Sequence, residues 1–329
     1  ISYAKYGYFF ILPFFLIYFF FQLYPLINTF ILSAYGDGKN VDQFLGLQNF
    51  QDILFGGNRR ANALQSTFRQ VLLNTLIVWI GNFVPQIILS LLLAVWFTDS
   101  RLKIKGKGFF KVVMYMPNIV TAESVAALFL SLFGESEFGA INSFLIDIGV
   151  VDRSDPIRFI TGMTQSRVMI MFIQCWMWFG NTMIMLMSGI MGINPSLFEA
   201  ANIDGASSGQ VFRKITLPLL RPIMLYTLVT SMIGGLQMFD IPYLYVKGTQ
   251  ENQYTRTVAV FIFDHFHQAN PNYGTSATAS VLLFIITAIL GAVTFYMNRD
   301  KDEIAKKKQV KKLIKQAKQK SKGFGGLEI

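Results

Sequence analysis

The stretch SLFEAANIDGASSGQVFRKITLPLL, Ser196 to Leu220, lies between two long apolar runs and is like neither. It carries Glu199, Asp204, Arg213 and Lys214, two glycines and a closing Pro218. Ser196 with Glu199 three residues on has the spacing of a capping box, and Pro195 fits equally the first helical position. Gly205 can take positive φ and end that short helix. A second short helix is expected over 207–215, ending before Pro218, which opens the next apolar run. Leu197, Phe198, Ala201 and Ile203 give this helix-turn-helix apolar contact points, and small Ala200, Ala201 and Ala206 permit close approach. Two physical readings stand side by side: docking into a groove on a partner, or an interfacial helix resting on lipid.

The surroundings are those of a membrane protein. The chain has 329 residues, 53% hydrophobic and only 15% charged, against about 25% charged in an ordinary soluble domain. Six apolar runs, 8–32, 72–98, 109–133, 168–193, 219–241 and 276–297, are each long enough to cross a bilayer, which takes roughly 20 residues as helix. This predicts an all-α fold with six transmembrane helices over 1–297 and a basic tail over 298–329. Pro13, Pro25, Pro85 and Pro117 fall inside the runs, where membrane helices tolerate them. Tyr6, Tyr8, Tyr35, Trp96, Tyr243 and Tyr296 suit interfacial anchoring. The first run is too long for a signal peptide and lacks a small-residue cleavage site, so it is expected to be retained.

Charge orients the spans. The loop over 98–111 carries +4, the opening segment over 197–221 carries +1, and the tail from Asn298 carries +7. The loops over 33–70, 134–167 and 240–274 carry +1, −2 and −1. The positive-inside rule therefore puts both termini and the Ser196–Leu220 segment on the cytoplasmic side of the membrane. The basic tail reads as a solvated, partly helical topogenic segment touching anionic lipid. It has no interleaved aromatic platform for nucleic acid.

Catalytic and metal chemistry have little to draw on. The single Cys175 rules out an intramolecular disulfide and a cysteine metal cluster. His265 and His267 form the one His-x-His pair, with no tight acidic cluster beside it, and read as surface residues of an outer loop. No G-x-x-x-x-G-K-[ST], G-x-S-x-G or H-E-x-x-H occurs. The chain is not expected to be an enzyme or to bind a cofactor or metal, and any nucleotide hydrolysis would belong to another chain.

A family resemblance separates the two readings of the opening stretch. EAANIDGASSGQVFRKITLP fits E-A-A-x3-G-x9-I-x-L-P at all seven fixed positions, Glu199, Ala200, Ala201, Gly205, Ile215, Leu217 and Pro218. That pattern is the signature of inner-membrane permeases of binding-protein-dependent ATP-binding-cassette importers. FFILPFFLIYFFFQLYPLINTFILSAY, FLGLQNFQDIL, LLNTLIVW, KGKGFFKVVMYMPNIV, DPIRFI and NYGTSATASVLLF extend the resemblance over nearly the whole chain. It is nearest the carbohydrate-uptake branch, on the side of the maltose-type larger permease subunit. The outer loops leave no room for the large inserted domain of the enterobacterial maltose subunit. LYVKGTQENQYTRT stands where many relatives carry a Gly-Gly-Gly-Pro turn. The resemblance implies the type I importer permease fold, with Ser196–Pro218 as the coupling-helix hairpin. Glu199, Ala200, Ala201, Asp204, Gly205, Ile215, Leu217 and Pro218 would then contact an ATPase. It also implies a second homologous permease, two ATPase subunits that bind ATP and Mg, and an extracytoplasmic solute-binding protein.

A solute crossing such a chain would meet polar and aromatic residues at mid-span. Sugars need donors and acceptors for their hydroxyls and flat rings for their C–H faces. The fourth run offers Gln174, Trp176, Trp178, Asn181 and Thr182; the fifth offers Gln237 and Asp240; the third offers Asn118, Thr121, Glu123 and Ser124. Glu123, an ionisable group about midway along its run, is a functional candidate by default. Trp176 and Trp178 are two apart and cannot both face one path. Asn181 and Gln237 could instead bond across helices, and Met183, Met185 and Met187 read as packing. The spans carry no cationic group at mid-depth, which favours an uncharged solute. The expected function is ATP-driven uptake of an oligosaccharide or related glycoside. The alternatives are the same architecture moving a glycerophosphodiester, polyamine or amino acid, and a secondary transporter or channel working alone.

Overall fold

The computed structural model describes residues 4–99, 101–246, 254–297, 309–310 and 313–314. The chain divides into two compact units, Ile1–Ala288 and Ile289–Ile329. In the second, helix continues to Met297, and Gln309–Val310 and Leu313–Ile314 are helical and exposed. The Gly-Gly-Gly-Pro departure falls largely on 247–253, outside the described residues.

Five helices are long and apolar enough to span a bilayer: Tyr6–Leu32, Arg59–Thr98, Met163–Met191, Arg221–Tyr245 and Tyr273–Tyr296. A sixth span is a bent pair, Lys107–Asn118 and Ala122–Leu132, with 93° between its limbs. In chain order these are the first to sixth spans, the bent pair being the third. Among the described residues no strand forms, only an isolated bridge between Tyr35 and Phe44.

The sequence placed the third span as one helix over 109–133. It breaks because Pro117 opens a 3₁₀ turn at Met116–Asn118 and Thr121, extended at ψ 148°, caps the next helix through Ser124 N. Glu123 consequently lies in the first turn of the second limb and is exposed there, rather than midway along a continuous span. The second span starts earlier than its apolar run, at Arg59, because Asn58 accepts a hydrogen bond from Ala61 N and caps a polar first stretch.

Prolines also interrupt the α-helical hydrogen bonding at two other places. A π turn at Phe19–Leu23 ends two residues before Pro25, and another at Phe212–Thr216 ends two residues before Pro218. Proline lacks an N–H and crowds the carbonyl four residues back; the wider π turn makes room for both effects.

Lipid removes most of the hydrophobic drive between helices, so packing and polar cross-links hold them together. Toward one end, Val78, Ile170, Ile173 and Met177 pack with Val125, Ala126 and Phe129 of the bent pair and Ile241 and Tyr245 of the fifth span. Toward the other, Ala94 and Phe97 pack with Met183, Leu186, Met187, Ile190 and Leu220. Between the two cores Gln86 donates to Thr182 Oγ1 at 2.8 Å and Ser90 Oγ donates to the Phe179 carbonyl at 2.8 Å. A further knot ties the first, second and sixth spans. Asp37 accepts from Thr275 N and Oγ1 and pairs with Arg60, while Asn49 donates to the Ser33 and Tyr35 carbonyls.

Gly180 is where the fourth span meets the first limb of the bent pair. A Cβ there would sit 2.0 Å from the Met114 carbonyl oxygen and 2.9 Å from Tyr115 Cα, both backbone. Gly180→Val should cost about 1–3 kcal/mol as overpacking, lowering the thermal midpoint of the detergent-purified protein. An unchanged midpoint would contradict this helix contact.

Candidate functional site

Two regions carry the sequence-selected residues. The first is a cavity of about 630 Å³ near mid-length of the second, fourth and fifth spans. Of the expected pathway residues, Gln174, Trp178, Asn181, Thr182, Gln237 and Asp240 line it; Trp176, Asn118, Thr121, Glu123 and Ser124 do not. The helical turn separates the two tryptophans. Trp178 is 46% exposed on the cavity side, whereas Trp176 packs edge-on against Phe129, ring centroids 5.6 Å apart.

The fifth span supplies its polar groups by breaking. Its regular helix stops at Leu236, Gln237 takes φ −97° and ψ 10°, and a new helix starts at Asp240. Non-helical backbone at membrane depth is tolerated only where it lines a cavity or is buried in protein. Gln237 and Asp240 flank this break and both are exposed.

The sequence reading missed one wall. Trp79, Asn82 and Gln86 of the second span line the cavity, as do Tyr226, Thr230 and Ser231 of the fifth. A signal existed: Thr75, Trp79, Asn82, Gln86 and Ser90 recur at three- and four-residue spacing and so share a helix face. Trp79 Nε1 donates to Ser231 Oγ at 3.3 Å, tying the two walls together. The lining thus offers amides, hydroxyls, indoles and one carboxylate, Asp240, with no lysine, arginine or histidine. Such a set can exchange hydrogen bonds with a polyol and cover its C–H faces.

The second region is the Ser196–Pro218 hairpin. Its first helix, Pro195–Ile203, places Pro195 at the first position, and Asn194 Oδ1 accepts from Ser196 N at 3.1 Å. The expected capping box of Ser196 and Glu199 is therefore not what starts it. The box occurs one helix later, where Ser207 Oγ accepts from Gln210 N and the Gln210 side chain accepts from Ser207 N. Gly205 takes φ +70° at the turn between them, a conformation that carries little cost only for glycine. The second limb does not end before Pro218; it runs through the π turn to Leu219 and, after Leu220, into the fifth span.

Within the hairpin Ala201 is buried, Ile215 and Leu217 are half-buried, and Glu199, Ala200, Asp204, Gly205 and Pro218 are exposed. Ile203 beside the apex is 86% exposed, a large apolar group left uncovered by its own chain. Glu199 and Phe198 also line a pocket of about 320 Å³ with Thr98, Asp99 and Arg101 from the end of the second span. Arg101 donates from Nε and Nη2 to the two Asp99 oxygens at 3.0 and 2.8 Å. These hydrogen bonds hold the Asp99 carboxyl below its usual range. Among the described residues no group of three or more His, Cys, Asp or Glu side chains could hold a metal. His265 is half-buried, its Nδ1 2.9 Å from the Phe261 carbonyl, rather than a free surface residue.

A helical permease with a polar mid-span cavity and a hairpin leaving the bilayer is the class these features define. Residues 75–301 match the binding-protein-dependent transport system inner membrane component family, and the chain belongs to it. It is 30% identical over 282 residues to the lactose transport system permease protein LacF of Rhizobium radiobacter, covering 85% of this chain and 90% of the relative. It is 28% identical to the arabinooligosaccharides transport system permease protein AraP of Bacillus subtilis, covering 88% of each. A crystal structure of a bacterial ABC transporter involved in import of the acidic polysaccharide alginate shares the fold. One of its chains aligns with TM-score 0.75 at 22% identity, over 90% of this chain and 95% of that one.

The two tryptophans should part company on mutation. Trp176→Ala opens a packed site and should cost about 3–5 kcal/mol of stability. Trp178→Ala should leave the thermal midpoint within a degree or two, on the order expected at a solvent-facing site, yet lower transport. Equal losses of stability in both variants would contradict the placement.

Proposed function

We propose that this chain is the sugar-translocating permease subunit of an ATP-driven importer, taking an oligosaccharide or related glycoside from an extracytoplasmic binding protein. The observation that carries the reading is the cavity lining. Indole faces from Trp79 and Trp178 and amides from Asn82, Gln86, Gln174, Asn181 and Gln237 converge from three spans of a chain whose relatives include lactose and arabinooligosaccharide permeases. Asp240 is the one carboxylate, so an uncharged saccharide suits the site better than a uronate. An anion placed there would face that carboxylate with no cation among the described lining residues to offset it.

The working unit on this reading pairs the chain with a second, homologous permease and two ATPase subunits in the bacterial cytoplasmic membrane, both termini inside. The charge asymmetry of the loops supports the orientation. The first span supports a partner: none of its most apolar window is buried by the rest of the chain, although it carries Phe9, Phe10, Phe14, Phe15, Phe20 and Phe21. ATP and Mg would be held by the ATPase subunits. The hairpin would dock there, with Ile203 and Leu217 as apolar contacts, Glu199 and Asp204 as charged ones, and the Gly205 turn at its tip. Closure of the ATPases on ATP would then move the hairpin and switch the cavity between the two sides.

Uptake of labelled saccharides by the reconstituted complex, with binding protein and ATP, tests the reading. Import of neutral oligosaccharides but not uronates is expected, and import of amino acids or polyamines alone would overturn it. Glu199→Lys or Gly205→Pro should abolish both uptake and transport-linked ATP hydrolysis while the protein still inserts. Normal uptake in either variant would remove the coupling role from the hairpin.

A further inference from the structure

Between the fifth and sixth spans the described chain resumes at Tyr254, and its first residues are clamped to three spans at once. Arg167, near the start of the fourth span, donates from Nε to the Tyr254 carbonyl at 2.8 Å and from Nη2 to Asn74 Oδ1 at 2.6 Å. Its guanidinium also lies 5.7 Å from the Tyr254 ring centroid. Asn74 of the second span donates to the Arg256 carbonyl at 3.2 Å, and Thr75 Oγ1 accepts from Val258 N at 3.0 Å. Thr257 Oγ1 donates to the Met238 carbonyl at 2.7 Å and accepts from Val260 N, so it both caps the helix Val258–His267 and reaches the fifth span. Thr75, Thr255, Thr257 and Val258 are all 1% exposed or less.

The depth of this strap matters. Asn74 lies five residues before Trp79, about 7.5 Å along the second span, and Arg167 seven before Gln174, about 10.5 Å along the fourth. The strap's contacts therefore lie past the cavity's lining, on the side where the second and fourth spans begin. Met238, whose carbonyl Thr257 holds, stands in the break between Gln237 and Asp240. A carbonyl at a helix break has no partner within the helix. Here a buried threonine from another part of the chain supplies one.

We propose that the Tyr254–Val258 strap is a positioning element for the solute cavity, with Thr257 fixing the break that presents Gln237 and Asp240. It rests on the reading of that cavity as the solute site. Thr257 touches no solute itself; it acts through the Met238 backbone. Release of its hydrogen bond should let the break relax and change how Gln237 faces the cavity.

The test is thiol labelling of Gln237→Cys in a Cys175→Ser background, using the full chain in membranes with its partner subunits. Thr257→Val should change the labelling rate about fivefold, the population shift expected from one lost buried hydrogen bond. Thr257→Ser, which keeps the hydroxyl, should restore it. Thr278→Val removes an equally buried hydroxyl bonded to the Ser33 and Gly274 carbonyls, away from the cavity, and should leave the rate unchanged. Should Thr257→Val fail to accumulate, Thr75→Val frees the strap from the second span and carries the same expectation. An unchanged rate in the variant measured, or an equal change in Thr278→Val, overturns the proposal. In the complete transporter Thr257→Val should also lower solute carried per ATP hydrolysed, with serine rescuing. Labelling requires no solute, so failure to import any saccharide would count against the carbohydrate reading alone.

Discussion

In hydrocarbon a backbone N–H or C=O without a partner has no water to turn to, and each such group costs several kcal/mol. That constraint governs where this chain can stop being helical. The third span breaks at Met116–Thr121, where Pro117 is buried. The fifth breaks at Gln237–Phe239, beside a polar cavity and under Thr257. At the first, the buried Pro117 stands among exposed Met116, Ile119 and Val120; the second delivers polar side chains to mid-span. The site follows from the same rule that makes the rest of the chain monotonous.

Much of the architecture was legible because lipid simplifies the code. Length of apolar run identifies a span. The turn at Gly205 was legible for a different reason: a lone glycine between two short helical patterns is the residue that tolerates φ +70°. The cap at Asn194 was harder. Asn, Pro and Ser stand in a row, and each is a good helix opener, so spacing left the Ser196–Glu199 box and Pro195 at the first position side by side; Asn194, just before that proline, does the capping. The π turns left no local sign beyond the prolines that follow them.

The cavity was half legible. Polar residues in the fourth and fifth spans stand out against their neighbours, and six of the seven named there, all but Trp176, line it. Glu123 misled because a charge inside an apolar run reads as deep, and the run was taken as straight. The 93° bend brings its helix start to an exposed place. Trp176 misled because nothing in a sequence tells which of two tryptophans, two apart, meets Phe129. The second-span stripe was overlooked because an asparagine or glutamine in a 40-residue helix is diluted among leucines and isoleucines; only its periodicity gives it away.

The hairpin's second limb has no loop between it and the membrane. Leu220 N bonds to the Thr216 carbonyl at 2.9 Å and Met224 N to the Leu220 carbonyl at 2.9 Å, so helical hydrogen bonds reach Leu220 from both sides, although Pro218 and Pro222 donate none. From Arg221 to Leu236 the fifth span then runs about 24 Å. One end of this stiff lever carries the exposed apex beside Ile203; the other stops at the break that holds Gln237. If the hairpin docks as proposed, a small tilt imposed at its apex would be conveyed along this helix to the cavity wall as a swing.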